Sequence, residues 1–439
     1  MASLSRGKRP GPILAIKRIQ LEDPGVEPLV PDHFRCPISL DLMHDPVTAS
    51  TGITYDRKSI ETWLERGNLN CPVTSQPIDI HELIPNHSTR KLIQLWCVEN
   101  RSLGVERIST PRIPISPLEA SEILSQVSLA SRRGDSYRCG NLAMKLKEIG
   151  KESERDKRCL AAAGAPRTLS GAFSQLAGES SESSKALGDL EKILSSLVVF
   201  FPLDIEAKRW LISTGSLKSM VLILKYGDLS GRLSTILVLR EVASTLDSAS
   251  LESMSKTNGL AEALTMLVEK PISPLATKAS LVTIFYLVSS NERAASRLVG
   301  LGLVSLLLDT LVDCDRSVCE KALAVLEGLF QCEKGREKGC EHALTVPVLV
   351  KKMLRISDMA TEFSVSALWR ICKGCKKMNC FIEAVQVGAF QKLLLLLQVG
   401  CNGVTKERAS ELLKMLNGSR GSAECIETVD FKGLKRSFD

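Results

Sequence analysis

Two short stretches carry residues of the kind that hold metal ions. "CPIS" (36–39) and "CPVT" (71–74) each begin with a thiol. Three residues on, each has a hydroxyl where a zinc knuckle would place its second thiolate. Structural zinc takes its ligands from Cys and His, and Ser39 or Thr74 cannot stand in for a thiolate. Between residues 29 and 103 the remaining candidates are Cys36, Cys71, Cys97, His33, His44, His81 and His87. They lack the paired spacing that two tetrahedral sites need, so no metal is expected here and no cofactor anywhere in the chain. The two loops must then be held by hydrogen bonds, for which Ser39, Asp41, Asp45, Thr51, Asp56 and Arg57 are the available partners.

Nucleophilic chemistry fits no better. Cys36 and Cys71 sit in Pro-flanked loops with no neighbouring His or acid pattern to activate them, which argues against a thiol relay. "CKGC" (372–375) with Cys380 lies in the apolar phase of a helical pattern, without a fourth ligand or a βαβ context. Those thiols read as small buried hydrophobes.

The elements that position the loops follow from local pattern. "TASTGITYD" (48–56) predicts a short hairpin turning at Gly52. Asp56 can cap a helix whose Ile60, Trp63 and Leu64 share one face. A second helix begins near Ser88, with Leu92, Ile93 and Trp96 expected to face inward. Residues 1–28 lack periodicity and read as a loose arm; 29–103 form one unit; 104–140 read as a linker with one helix. That helix is expected from Pro117 to about Ala130, behind an S-x-x-E capping box at Ser116–Glu119.

From residue 141 to 418 the chain is helical and repetitive. Gly215, Gly259, Gly302 and Gly388 each precede a small or apolar residue, at separations of 44, 43 and 86. "ALTVP" (343–347) fills the vacant slot without a Gly, and "AAGAP" (162–166) suggests an earlier copy, set apart by a Ser/Gly-rich insertion around 170–184. A second landmark, "LREV", "IFYL", "LEGL", "LWRI" and "LKML", starts at 239, 284, 326, 368 and 413. Two landmarks on one period of roughly 40–47 residues point to an armadillo or HEAT-type α-solenoid with one long concave face. Residues 419–439 read as a tail.

Composition narrows the function. The net charge of +7 is scattered, with "RGKR" (6–9) and "KGLKR" (432–436) its densest runs, so no basic stripe for nucleic acid is present. "PILAI" (12–16) is too short for a signal h-region and "LLLLL" (393–397) too short to span a bilayer. Fourteen cysteines in such a chain fit reduced thiols in the cytoplasm, with the nucleus as a second compartment.

The run from "FRCPISLDLMHDPV" through "GITYDR" and "CPVTSQPI" to "LIPNHSTRKLIQLWC" (34–97) resembles a U-box. Together with the repeats, the chain is similar to the plant U-box/armadillo ubiquitin-protein ligases. The lead-in "KRPGPILAIKRIQLEDPGVEPLVPDHFRCP" suggests the branch linked to defence and stress signalling. The resemblance implies a mostly α protein: a small metal-free RING-like α+β U-box followed by the solenoid. It implies that the U-box binds a ubiquitin-conjugating enzyme through Ile38 and Leu40 of the first loop, Trp63 of the helix and Pro72 of the second loop. Relatives often carry a basic residue soon after C-P-x-T that stiffens the loaded thioester. Here Ser75 holds that position and Gln76 follows, so either one does a weaker version of that work or activity is modest. A U-box dimer remains open.

A protein substrate is expected on the armadillo surface, near Glu241, Tyr286, Trp369 and Arg370. The rival reading is a non-catalytic adaptor or import receptor. Receptors of that kind carry an asparagine ladder two residues after the landmark Leu, where this chain has Glu241, Tyr286, Gly328, Arg370 and Met415. Extended basic peptides are therefore not the expected ligand.

Overall fold

The computed structural model describes residues 30–78, 83–108, 114–179, 184–374 and 379–423. The arm at 1–28, His81, Cys375 and the tail from 424 lie outside the described residues. The chain divides into two compact units, Met1–Ile113 and Pro114–Asp439.

In the first unit, β1 (Pro46–Thr48) and β2 (Thr54–Asp56) pair antiparallel with Thr48 opposite Thr54. Gly52 makes the turn at φ 80°, a conformation that costs glycine nothing. β3 (Ile84–Pro85) joins the other edge of β1, giving the order β2-β1-β3. α1 (Arg57–Glu65) leaves β2 directly, and α2 (His87–Glu99) is capped by Asn86, whose side chain accepts the Thr89 N–H at 2.9 Å. Phe34, Met43, Val47, Tyr55, Ile60 and Ile93 fill the core with the thiols Cys36, Cys71 and Cys97. Trp63, Leu64 and Trp96 pack at its margin.

Two local expectations change here. Asp56 precedes α1 but its side chain caps nothing in that helix; it turns instead to the first loop. Leu92 is 53% exposed. The buried stripe of α2 runs through Ile93 and Cys97, and Leu92 lies about 100° round the helix from Ile93.

Among the described residues, the regular elements of the second unit are all helices. α3 (Pro117–Arg132) and α4 (Ser136–Glu152) open it. Six three-helix units follow among the described residues. They are α5 (Glu154–Ala162), α6 (Ala165–Glu179) and α7 (Ser184–Leu197); α8 (Ile205–Leu211), α9 (Thr214–Tyr226) and α10 (Leu229–Ala243); α11 (Ser248–Ser255), α12 (Leu260–Glu269) and α13 (Pro274–Ser290); α14 (Glu292–Gly300), α15 (Leu303–Val312) and α16 (Arg316–Leu329); α17 (Glu333–Glu341), α18 (Thr345–Lys352) and α19 (Asp358–Gly374); and α20 (Asn379–Gln386), α21 (Ala389–Val399) and α22 (Gly403–Ala423). Third helices pack on third helices in succession from α4 to α22.

The helix expected in a linker forms behind its capping box, but it is not a linker element. Its Ala120, Ile123, Leu124 and Val127 share the solenoid core, and α3 packs on α4 and α6. An i, i+3, i+4, i+7 stripe needs a partner, and α6 supplies it. The insertion expected around 170–184 is largely α6, which runs to Glu179. Gly164, Gly259, Gly302 and Gly388 take left-handed φ of 80–93° at the start of second helices. Gly215 differs because Ser213 caps α9 two residues earlier and draws the glycine into the helix. No single helix among the described residues is long and apolar enough to cross a membrane.

Candidate functional site

The loops Cys36–Asp41 and Cys71–Gln76 fold alike. In each, the cysteine N–H donates to the carbonyl five residues on, at 2.8 Å to Asp41 and 2.7 Å to Gln76. Each cysteine carbonyl accepts the N–H four residues on, from Leu40 and from Ser75, both at 2.8 Å. That closure forces Leu40 and Ser75 into the left-handed region, at φ 63° and 59°, which costs each roughly 1–2 kcal/mol. Bridges between Arg35 and Leu42 and between Asn70 and Pro77 shut the two bases. The equivalence matches Ile38 with Val73 and Leu40 with Ser75.

Protein donors occupy the sulfurs. The Tyr55 hydroxyl lies 2.8 Å from Cys71 Sγ, the Thr74 N–H 3.3 Å and the Thr51 hydroxyl 3.6 Å. Burial pushes this thiol up, but hydrogen bonds from Thr74, Tyr55 and Thr51 outweigh it and bring it down to about 6. Burial and the same contact push the Tyr55 phenol well above its usual range. Cys36 Sγ accepts the Asp56 N–H at 3.3 Å. Consecutive residues of β2 thus hold one loop each.

Asp56 ties the first loop further, its carboxylate accepting the His44 and Asp45 N–H groups at 2.8 and 2.9 Å. Arg57 closes the circuit with a 2.7 Å contact to Asp45. Among the described residues no three His, Cys, Asp or Glu side chains converge as metal ligands.

The residues proposed for docking stand on or beside these loops. Ile38 is half-buried against the core and Leu40 is 66% exposed. Trp63 donates its indole N–H to the Asn70 carbonyl at 2.8 Å, so it fastens α1 to the second loop as well as packing on the core. Pro72 is half-buried, while Ser75 and Gln76 are exposed. Sequence reasoning passed over two apolar neighbours, Leu69 at 69% and Val73 at 54% exposed. The repeated C-P-x-[ST] pattern held the signal for Val73, because it places that side chain where Ile38 stands in the first loop.

Comparison with known proteins agrees with both units. The U-box domain profile matches residues 30–102, and that of the plant U-box protein ARM repeat region matches 119–435. The chain is 41% identical to U-box domain-containing protein 21 of Arabidopsis thaliana over 418 residues, 95% of each chain. It belongs to the plant U-box family. It is also 36% identical to the E3 ubiquitin-protein ligase PUB23 of Arabidopsis thaliana, covering 88% of this chain and 92% of that one. An engineered protein of known crystal structure, 17% identical, shares the fold with a TM-score of 0.52 over 68% of each chain.

Within the armadillo region, the residues two after the landmark Leu are mostly committed to neighbouring repeats. Glu241 takes the Lys208 ammonium and the Leu203 N–H, each at 3.2 Å, on largely buried side chains. Arg370 of α19 meets Glu327 of α16 at 2.7 Å. Gly328 lets α13 approach, since a Cβ there would come 2.6 Å from Val288 Cγ2. Tyr286 packs edge-on against Phe285 at 5.7 Å. Trp369 has a different setting. Its indole N–H donates to Glu411 at 2.6 Å, and the ring carries Lys373 at 4.4 Å and Arg408 at 5.4 Å. Lys373 was visible one turn along the same helix; Arg408 comes from the next repeat and was not.

Proposed function

We infer that this plant U-box protein is a ubiquitin-protein ligase whose U-box receives a ubiquitin-charged conjugating enzyme and whose armadillo repeats recruit a protein substrate. The observation that supports the reading is the pair of like-folded loops held on β2 by hydrogen bonds from Tyr55 and Asp56. The lysine amine of the substrate attacks the thioester carbonyl on the partner enzyme. An isopeptide bond forms and the partner's thiolate leaves. The ligase contributes proximity, raising the effective concentration of amine beside thioester. Its U-box sulfurs are buried and hydrogen-bonded to their own loops, consistent with no covalent intermediate on the ligase.

Docking is assigned to Ile38, Leu40, Trp63 and Pro72, with Leu69 and Val73 extending the apolar surface and Ser75 and Gln76 at its polar edge. Substrate is assigned to the groove around Trp369, where Lys373 and Arg408 flank the ring. Pairing of two U-boxes would use the exposed Leu92, Leu95 and Val98 of α2. A role in defence and stress signalling rests on the lead-in sequence, and action in the cytoplasm and nucleus on the reduced thiols. Plants lacking the protein that respond normally to an elicitor would remove that role.

The test is reconstitution of the full chain with ubiquitin, activating enzyme, ATP and a broad panel of conjugating enzymes. Ubiquitin chains on the protein itself are expected. Their absence across the panel would leave the adaptor reading in possession.

A further inference from the structure

α7 packs on both α4 and α10, and a cavity of about 680 Å³ opens across the three helices. That is room for a large side chain or a small ligand. Tyr137, Lys147, Asp189, Glu191, Lys192 and Asp228 supply the ring and all the charge in its wall.

Most of that charge is already matched. Asp189 is buried and takes the Lys192 ammonium at 2.8 Å and the Ser136 hydroxyl at 3.1 Å. Lys192 also stands 5.5 Å from the centre of the Tyr137 ring, and Lys147 donates to the Ser195 hydroxyl at 3.0 Å. Glu191 is the exception. It is half-buried, and among the described residues no cation comes within ion-pair distance of it. Its carboxylate lies across the start of α10, against Gly227 and Gly231, which flank Asp228. A Cβ at Gly231 would come 2.5 Å from Glu191 Cδ, and one at Gly227 would strike Oε1. Two glycines thus make the room in which this carboxylate sits near that of Asp228. Asp228 uses one oxygen on the Gly231 N–H that it caps. Burial, and then the Asp228 charge, push the Glu191 carboxyl above its ordinary value, the strain of an anion without a counter-ion.

We propose that this cavity binds the guanidinium of an arginine side chain on a protein partner, with Glu191 and Asp228 as counter-ions and Tyr137 as the aromatic wall. A guanidinium carries its donors in a flat fork that can serve two carboxylates, stacks on rings and is weakly hydrated. An ammonium is compact and strongly hydrated, so it fits this arrangement less well. An anion would meet Glu191 and find both lysines engaged. The inference rests on the reading that the repeats recruit a protein, and it adds a second contact to the groove around Trp369. It asks for one cationic side chain, where an asparagine ladder would hold an extended basic run.

The experiment replaces the four tyrosines of the full chain, Tyr55, Tyr137, Tyr226 and Tyr286, with 3-fluorotyrosine; Tyr137→Phe identifies the Tyr137 resonance. N-acetyl-Gly-Arg-Gly-amide, titrated through the millimolar range, should move that resonance saturably while those of Tyr55 and Tyr286 stay. The lysine analogue should bind more weakly and the glutamate analogue not at all. Glu191→Gln should weaken binding by at least about tenfold, the loss that goes with one charge-assisted contact. Gly231→Ala, which pushes the carboxylate from its place, should weaken it too. Melting curves confirm that both variants fold. The proposal is overturned if the Tyr137 resonance does not move saturably, if both variants bind as the parent does, or if either analogue binds as tightly as the arginine peptide. A protein that builds no ubiquitin chains yet passes this titration loses the ligase reading and keeps the site; the opposite result keeps the ligase and removes the site.

Discussion

Tyr55 and Cys71 meet hydroxyl to sulfur at 2.8 Å, and the next residue along β2, Asp56, gives its N–H to Cys36 at 3.3 Å. One short strand therefore does the work of positioning that thiolate–zinc bonds perform in a knuckle. Removing a single hydroxyl tests this. Tyr55→Phe should destabilise the U-box by roughly 1–2 kcal/mol, the cost of leaving a buried polar partner unmet. Amide exchange at Val47 and Ile93 in the full chain reads that local stability.

The same contact gives a pH dependence with a definite sign. The Cys71 thiol is lowered from an ordinary 9.0 to about 6, so between those values the folded form has lost a proton that the unfolded chain keeps. Its contribution is complete above pH 9 and disappears as the pH falls through about 6. Amide protection in the U-box should decline over that window in the parent protein, and the decline should be shallower in Tyr55→Phe. An equal slope in both would show that the hydroxyl does not hold the thiolate.

Metal removal is expected to change nothing. After exhaustive dialysis against EDTA the full chain should keep both its melting curve and its chain-forming activity. Equimolar zinc in the purified protein, lost on dialysis together with amide protection in the U-box, would contradict the hydrogen-bonded loops.

In the solenoid, the contact between Arg370 and Glu327 links adjacent repeats, and Glu327 is 9% exposed. Arg370→Met leaves that carboxylate buried without its cation and should cost about 3 kcal/mol in denaturant unfolding of the repeats. The double variant with Glu327→Met should regain most of the loss. Self-modification through the U-box should continue in both.

Much of this was legible in the sequence because periodicity reports burial. The repeats announced themselves through third-helix residues such as Leu239, Ile284, Leu326 and Leu368, all buried. The capping box at Ser116–Glu119 located α3, yet residues 104–140 read as a linker. Only the stripe Ala120, Ile123, Leu124 and Val127 shows that the helix needs the solenoid. Asp56 looked like a helix cap because its position in the chain is right for one; its carboxylate is worth more to two loop amides across the sheet. Contacts between distant segments, such as Arg408 over Trp369 or Arg370 on Glu327, depend on how one repeat is laid on the next. Local pattern carries no record of that.

The central claim is that the U-box works as a docking surface and needs neither its thiols nor a metal for chemistry. Chain formation and melting temperature measured together on Ile38→Ala and Cys36→Ser test it most directly. Truncating an interface anchor costs about 2 kcal/mol or more of binding, at least about tenfold in affinity. Ile38→Ala should therefore lose chain formation while its melting temperature stays close to the parent value. Cys36→Ser, which changes a buried acceptor of the Asp56 N–H from sulfur to oxygen, should retain substantial activity. A Cys36→Ser protein that melts normally yet builds no chains, or an Ile38→Ala protein that builds them at the parent rate, would contradict the account.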